Sequence, residues 1–291
     1  MKYIKLNILL VLVLIMSCSE DKDDNLRLDS LEPNLVIKLK FDPTQERLGN
    51  LGQPVSILPG NAAQSPTINK MSANYIEFAP TATTALGAGE IIYKGDETTV
   101  GGNQAINFQN AVFAGNNETF LTIPLSNISP GNYEWVRVSL AYQEGNINIL
   151  VNGQDLTGTL ASFVGYNSYI TSFNLNESTF NINANKPQGF WAFETLGFTT
   201  QGQAPEGATT VPNPLFNSSP IPPNSCVVTG EFENGLQITG NETQDITVTL
   251  SFSINNSFEW TEIHIDGKYE PEAGEQVIDM GLRGLIPIVS N

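Results

Sequence analysis

From residue 34 onward the apolar residues recur at every second position, and no stretch repeats them at the three-and-four spacing of an amphipathic helix. In Leu35 to Phe41, residues Leu35, Ile37, Leu39 and Phe41 face one way while Val36, Lys38 and Lys40 face the other. Ile246 to Ile254 repeats the pattern with Ile246, Val248, Leu250, Phe252 and Ile254 against threonines and serines. Asn132 to Gln143 is expected to be the longest strand, with Val136, Val138, Leu140 and Tyr142 sharing a face. In Asn74 to Phe78, residues Asn74, Ile76 and Phe78 alternate with Tyr75 and Glu77; Glu90 to Tyr93, Ala105 to Phe113, Phe120 to Pro124, Cys226 to Phe232 and Gly235 to Thr239 are further strands. A chain of short alternating strands can bury its apolar faces only by stacking sheets. The expected fold is therefore all-β, an antiparallel Greek-key β-sandwich of immunoglobulin-like type.

Turn chemistry agrees with that class. Ile147 to Val151, then Asn152-Gly153, then Gln154 onward is the pattern of a tight hairpin, because Asn-Gly supplies the positive φ that both central positions of a type I′ turn require. Phe163, Tyr166, Tyr169, Phe173 and the run Gly189-Phe190-Trp191-Ala192-Phe193 make this the aromatic-rich half. Aromatics on strands are read as core, with a ligand platform as the alternative. Residues 201–225 carry six prolines and are expected to form a long surface loop, since proline cannot donate within a central strand. The segment after residue 225 is short for an independent sandwich, so residues 34–291 are read as a single domain.

The start of the chain fixes an address. Lys2 and Lys5 precede an apolar run from Ile8 to Met16, too short to cross ~30 Å of hydrocarbon as a stable helix. Residues 1–17 are read as an export signal. Ile15-Met16-Ser17-Cys18 resembles the lipobox of bacterial lipoproteins, in which a small residue precedes the cysteine that accepts lipid and becomes the new terminus. Ser17 and Cys18 then mark cleavage, and Cys18 marks acylation of the palmitate type. Ser19-Glu20-Asp21-Lys22-Asp23-Asp24 resembles the acidic signal, carried by Lys22, Asp23 and Asp24, that sends lipoproteins of Bacteroidota to the outer face of the outer membrane. Residues 18–33 are read as an acidic tether.

Charge excludes two partner classes. The chain carries a net charge of -17, and removing residues 1–17 takes away two lysines and no acid, leaving 30 acids against 11 bases. That field repels phosphate backbones and anionic headgroups, so neither nucleic acid nor electrostatic membrane docking is expected. Membrane attachment falls to the lipid. With Cys18 consumed, Cys226 has no intrachain partner and is expected to be a buried, inert thiol.

Catalytic signatures are absent from the sequence. There is one histidine, His264, and no phosphate loop, dinucleotide fingerprint, paired zinc cysteines or nucleophile elbow. No enzyme activity is expected. Oxygen ligands in ordered spacing do occur from Glu262 to Glu275, in a segment that resembles the calcium loops of bacterial surface proteins. By that resemblance Glu262 stands first, Asp266 fifth, Gly267 makes the turn, the Lys268 carbonyl comes next and Glu275 closes the shell. His264 takes a position usually held by Asp or Asn, and Glu272 is the other candidate for closure. Calcium is the one cofactor the sequence suggests; a solvated acidic hairpin between Trp260 and Val277 is the alternative.

Leu35 to Phe41, Asn69-Lys70-Met71-Ser72-Ala73-Asn74-Tyr75-Ile76 and the Pro130-Gly131-Asn132-Tyr133 lead into a long strand are similar to the MbnP-like lipoproteins. That resemblance implies a β-sandwich partner of copper and metallophore uptake. One histidine, one unlipidated cysteine and four methionines are few soft ligands for copper, so the resemblance carries over as a surface-displayed binding sandwich. Three classes stay open: a lipid-anchored binding or accessory lipoprotein linked to nutrient or metallophore uptake, an adhesion or structural surface protein, and a carbohydrate-active enzyme. Its expected partners are the membrane through the lipid, and a small ligand, a glycan or an outer-membrane receptor.

Overall fold

The computed structural model describes residues 32–49, 53–204, 219–280 and 282–290. Ser17, Cys18, Lys22, Asp23 and Asp24 lie outside the described residues, as do residues 205–218 of the proline-rich stretch. The strands in order are β1 (Asn34–Asp42), β2 (Asn61–Gln64), β3 (Thr67–Ala79), β4 (Glu90–Lys94), β5 (Glu97–Thr98), β6 (Ala105–Asn107), β7 (Thr119–Pro124), β8 (Gly131–Val151) and β9 (Gln154–Phe163). They continue with β10 (Asn167–Leu175), β11 (Ser178–Pro187), β12 (Phe190–Thr195), β13 (Phe198–Gln203), β14 (Cys226–Ile238), β15 (Ile246–Ser253), β16 (Phe258–Thr261), β17 (Val277–Met280) and β18 (Leu285–Ser290). The chain is all-β and sandwich-like.

β8 is the spine. At 21 residues it is one unbroken strand where the sequence suggests two, and at ~3.4 Å per residue it would span about 70 Å if straight. Its first half pairs with β14 and its second half with β9, while β3 runs along its other edge. The partner changes at Ala141, whose carbonyl accepts the amides of Val164 and Gly165 at 3.0 Å each.

The first half of β8, with β3, β4 and β14, packs against the sheet β18-β15-β1-β7. Leu35, Ile37, Leu39 and Phe41 of β1 all point into this core, as their alternation predicts. β1 lies parallel to β15 in a register that sets Ile37 beside Val248 and Leu39 beside Leu250, so the apolar faces of both strands coincide. Burying each such side chain stabilises by about 1.5–3 kcal/mol, and this cluster is the largest of the described residues.

The second half of β8 is covered on both faces. β11-β10-β6-β5 encloses Phe108, Tyr142, Phe163, Phe173, Phe180 and Phe190 on one side. β17-β16-β2 covers Ile147 and Ile149 with Phe258 and Trp260 on the other. A middle layer needs apolar residues on both faces, which Phe190-Trp191-Ala192-Phe193 provides.

Three expectations are corrected. The segment Ala105 to Phe113 is a strand only to Asn107; Phe108 then turns inward to the aromatic core and the Ala111 amide closes a 3-10 turn on its carbonyl. Gln201 to Gln203 belongs to β13, paired with β12, and not to a loop. β3 is buried on both faces from Met71 to Ala79, and Asn74 sits in a bulge that interrupts its alternation. The Asn152-Gly153 hairpin forms as expected, with φ of 49° and 72°.

Candidate functional site

Two ends of the molecule are defined by β8. The Leu125 amide bonds the Pro33 carbonyl at 2.9 Å, and the Tyr133 hydroxyl bonds the Ser129 carbonyl at 2.6 Å, so the first described residues lie beside the start of β8. The other end carries the Asn152-Gly153 turn. There the Leu150 amide bonds the Tyr269 carbonyl at 2.8 Å and Lys268 Nζ reaches Asp155 at 2.8 and 3.1 Å. The acidic loop from Glu262 to Glu275 therefore stands at the end of β8 opposite Pro33.

Tyr269 anchors this loop by packing edge-on to Phe258 and tilted against Trp260. A 3-10 turn over Pro271–Ala273 and Gly274 at φ 87° return the chain to β17. Within it the carboxylates point at the loop's own backbone. Glu262 Oε1 accepts the amides of Asp266 (3.0 Å) and Gly267 (2.8 Å); Asp266 Oδ1 accepts that of Lys268 (2.9 Å). Glu275, only 5% exposed, accepts Ile263 N at 3.0 Å on one oxygen and Glu270 N at 2.6 Å on the other.

These partners decide the fit to calcium. A calcium shell needs six to eight oxygens converging on one point. Among the described residues no group of three or more acids, histidines or cysteines converges in that way, and Glu262, Asp266 and Glu275 are engaged as caps on separate amides. Glu262 Oε2 is buried without a partner, one oxygen where a shell needs several. His264 Nδ1 pairs with Glu270 Oε2 at 2.5 Å, and this contact lifts the imidazole above its ordinary pKa of 6.5. Asp155 likewise raises the Lys268 ammonium. Two apolar side chains stand out among the loop's exposed polar ones: Ile265 is 98% and Ile263 50% exposed.

The near end holds an open cleft of about 430 Å³ between β14 and β15, lined by Gln237, Thr239, Glu242, Thr243 and Asp245. Its carboxylates also serve the fold, Glu242 capping the Thr239 and Gly240 amides and Asp245 accepting Asn34 N at 2.7 Å. Cys226 is a buried free thiol, pushed up to about 12 by desolvation, which keeps it protonated and inert.

Sequence reasoning missed two buried charge networks. Glu77, fully buried, accepts Gly87 N at 3.0 Å and Gly89 N at 2.5 Å, while Arg137 lies 3.7 Å away and donates to the Thr84 carbonyl at 2.6 Å. This pins residues 84–89 across the outer face of β3 and β8, over Tyr75 and Val227. Glu259 joins Arg47, Arg283 and Asn61 beneath β16. An isolated charged residue in an alternating strand is the one signal that marks Glu77 in the sequence. No helix among the described residues is long and apolar enough to cross a membrane. No family model, curated protein or solved structure matches this chain.

Proposed function

We propose that this is a lipid-anchored lipoprotein displayed on the bacterial outer membrane, working as a binding or accessory module in nutrient or metallophore uptake, as its similarity to MbnP-like lipoproteins suggests. The observation that carries the reading is the placement of the two ends. The folded body starts within a few residues of the tether that begins at Cys18, and β8 sets the loop from Glu262 to Glu275 at the opposite end. A lipid on Cys18 would hold one end while the other faces outward.

Binding fits better than catalysis. The single histidine is tied to Glu270 on an exposed loop, and the single described cysteine is buried and protonated within the β-core; the two are not paired as base and nucleophile. The test is metabolic labelling with a palmitate analogue, followed by protease shaving of intact cells. Cys18→Ser is expected to lose both label and membrane association. Replacing Lys22, Asp23 and Asp24 with Ala is expected to keep the label and lose protease accessibility. Firm membrane association of Cys18→Ser would overturn the reading.

A further inference from the structure

The aromatic residues of the β12-β13 hairpin divide between two faces. Phe190 and Ala192 point into the aromatic core with Phe163 and Ala161, their partners on β9. Trp191, Phe193 and Thr195 point the other way, and antiparallel register places Gly202, Thr200 and Phe198 of β13 directly beside them. The sheet β17-β16-β2 covers this second face over β8 and β9, where Phe193 tucks against its core. To either side of Phe193 along the hairpin the cover thins: Trp191 is half-buried and Phe198 is 76% exposed.

Glycine sets how the rings lie. A β-carbon at Gly202 would run into Cζ2, Cε2 and Nε1 of Trp191, so the indole lies across the β13 backbone instead of standing up from the sheet. A β-carbon at Gly158 would collide with Phe193 in the same manner. The hairpin tip is also held in an unusual state. Leu196, 73% exposed, adopts φ 50°, and Glu194 caps the turn by accepting Gly197 N at 2.6 Å. Phe198 comes directly after this turn.

We propose that this face of β12 and β13 binds a neutral oligosaccharide chain, with Trp191 and Phe198 as stacking platforms. The inference rests on the reading of a surface-displayed binding module and names its ligand class. Sugar rings offer a flat apolar C–H face and a rim of hydroxyls. The strip offers flat rings, the Thr200 hydroxyl, the lone pairs of the Thr195 hydroxyl, whose proton goes to the Thr157 carbonyl at 3.1 Å, and the Trp191 indole N–H. No residue on this face of either strand is charged, whereas the chain as a whole carries -17, which disfavours acidic polysaccharides and anionic lipids. Phe198 and Gly202 are four residues apart on β13, about 14 Å at ~3.4 Å per residue, so the platforms are spaced for more than one sugar unit.

The test is native affinity electrophoresis of the detergent-solubilised full-length lipoprotein through gels containing mixed-linkage β-glucan, xylan, galactomannan or amylopectin, with alginate as the anionic control. Retardation by at least one neutral polysaccharide and not by alginate is expected. Phe198→Ala removes an exposed ring and leaves the core untouched; it is expected to weaken retention about tenfold, and Trp191→Ala at least as much. No retardation in any neutral gel would overturn the proposal, as would retention unchanged in a folded Phe198→Ala protein. Self-association abolished by Phe198→Ala, without sugar binding, would assign the strip to a second copy and also overturn it. Because the assay is run in detergent, its failure leaves the anchoring result standing, and loss of anchoring in cells leaves this result standing.

Discussion

Leu140 and Tyr142 are two residues apart on one strand and face opposite sides of the sheet. Leu140 pairs with Ala73 and Tyr142 with Ser72, so the intervening Ala141 is a bulge that adds one residue to β8. Leu140 enters the large core and Tyr142 the aromatic one, where its hydroxyl bonds Glu144 at 2.7 Å. One inserted residue thus lets a single strand serve two cores on opposite faces.

Deleting Ala141 is accordingly expected to be far more damaging than its small side chain suggests. Every residue on one side of the deletion would be turned to the wrong face. The expected outcome is loss of cooperative unfolding and of soluble protein. Deleting one residue from the exposed turn at Val100 is the control and is expected to leave the urea midpoint nearly unchanged. A cooperative transition in the Ala141 deletion near the wild-type midpoint would show that the bulge does not set the facing of the strand.

Glu77 is expected to be a strong stability determinant. Replacing it with Ala leaves Arg137 buried without its counter-charge and strips two amides of their acceptor, at a cost of about 3–5 kcal/mol. Combining Glu77→Leu with Arg137→Met removes both charges and is expected to recover the part of the loss due to the unpaired guanidinium, while the Gly87 and Gly89 amides still lack their acceptor. Urea denaturation of the single and double variants measures this directly, and equal losses in both would mean the pair contributes as packing alone.

The sequence made the first core legible because β1 and β15 keep strict alternation and their faces align in register. It hid the bulge, since Val136, Val138, Leu140 and Tyr142 alternate as smoothly as residues that share one face. Only the change of pairing partner, which depends on residues dozens of positions away, reveals the switch. The same holds for Trp191: in Phe190-Trp191-Ala192-Phe193 both faces are apolar, and composition does not tell which ring is covered. In the acidic loop the spacing of Glu262, Asp266 and Glu275 was legible. The partners of their oxygens were not, because backbone amides compete with cations for the same lone pairs.

His264 offers a clean titration because it is the single histidine of the chain. Glu270 raises its folded pKa above 6.5, so the contact's contribution is fully present below about pH 6.5 and fades as pH rises through the folded value. The imidazole is 63% exposed, so the effect belongs to the loop and not to global stability. An NMR titration of the ring protons is expected to give a pKa above 6.5 that falls in Glu270→Gln. An unchanged value in that variant would dissolve the pair.

Glu275 tests what the acidic loop is for. Its carboxylate is nearly buried and both oxygens accept backbone amides, which ties Ile263 to Glu270 across the loop. Glutamine keeps one acceptor but turns an N–H donor toward the other amide, so a charged hydrogen bond is lost and two donors are set face to face. Glu275→Gln is therefore expected to lower stability by about 2 kcal/mol, and to do so equally with or without calcium. Asp266→Ala loses one exposed turn contact, and a change within about 0.5 kcal/mol is expected. Thermal melting in calcium and in magnesium at matched ionic strength is expected to give the same small shift for the wild type, because general screening of the acidic surface acts alike for both ions. A rise specific to calcium and abolished by Asp266→Ala would mean that a cation displaces these amides and closes the shell its sequence spacing suggests.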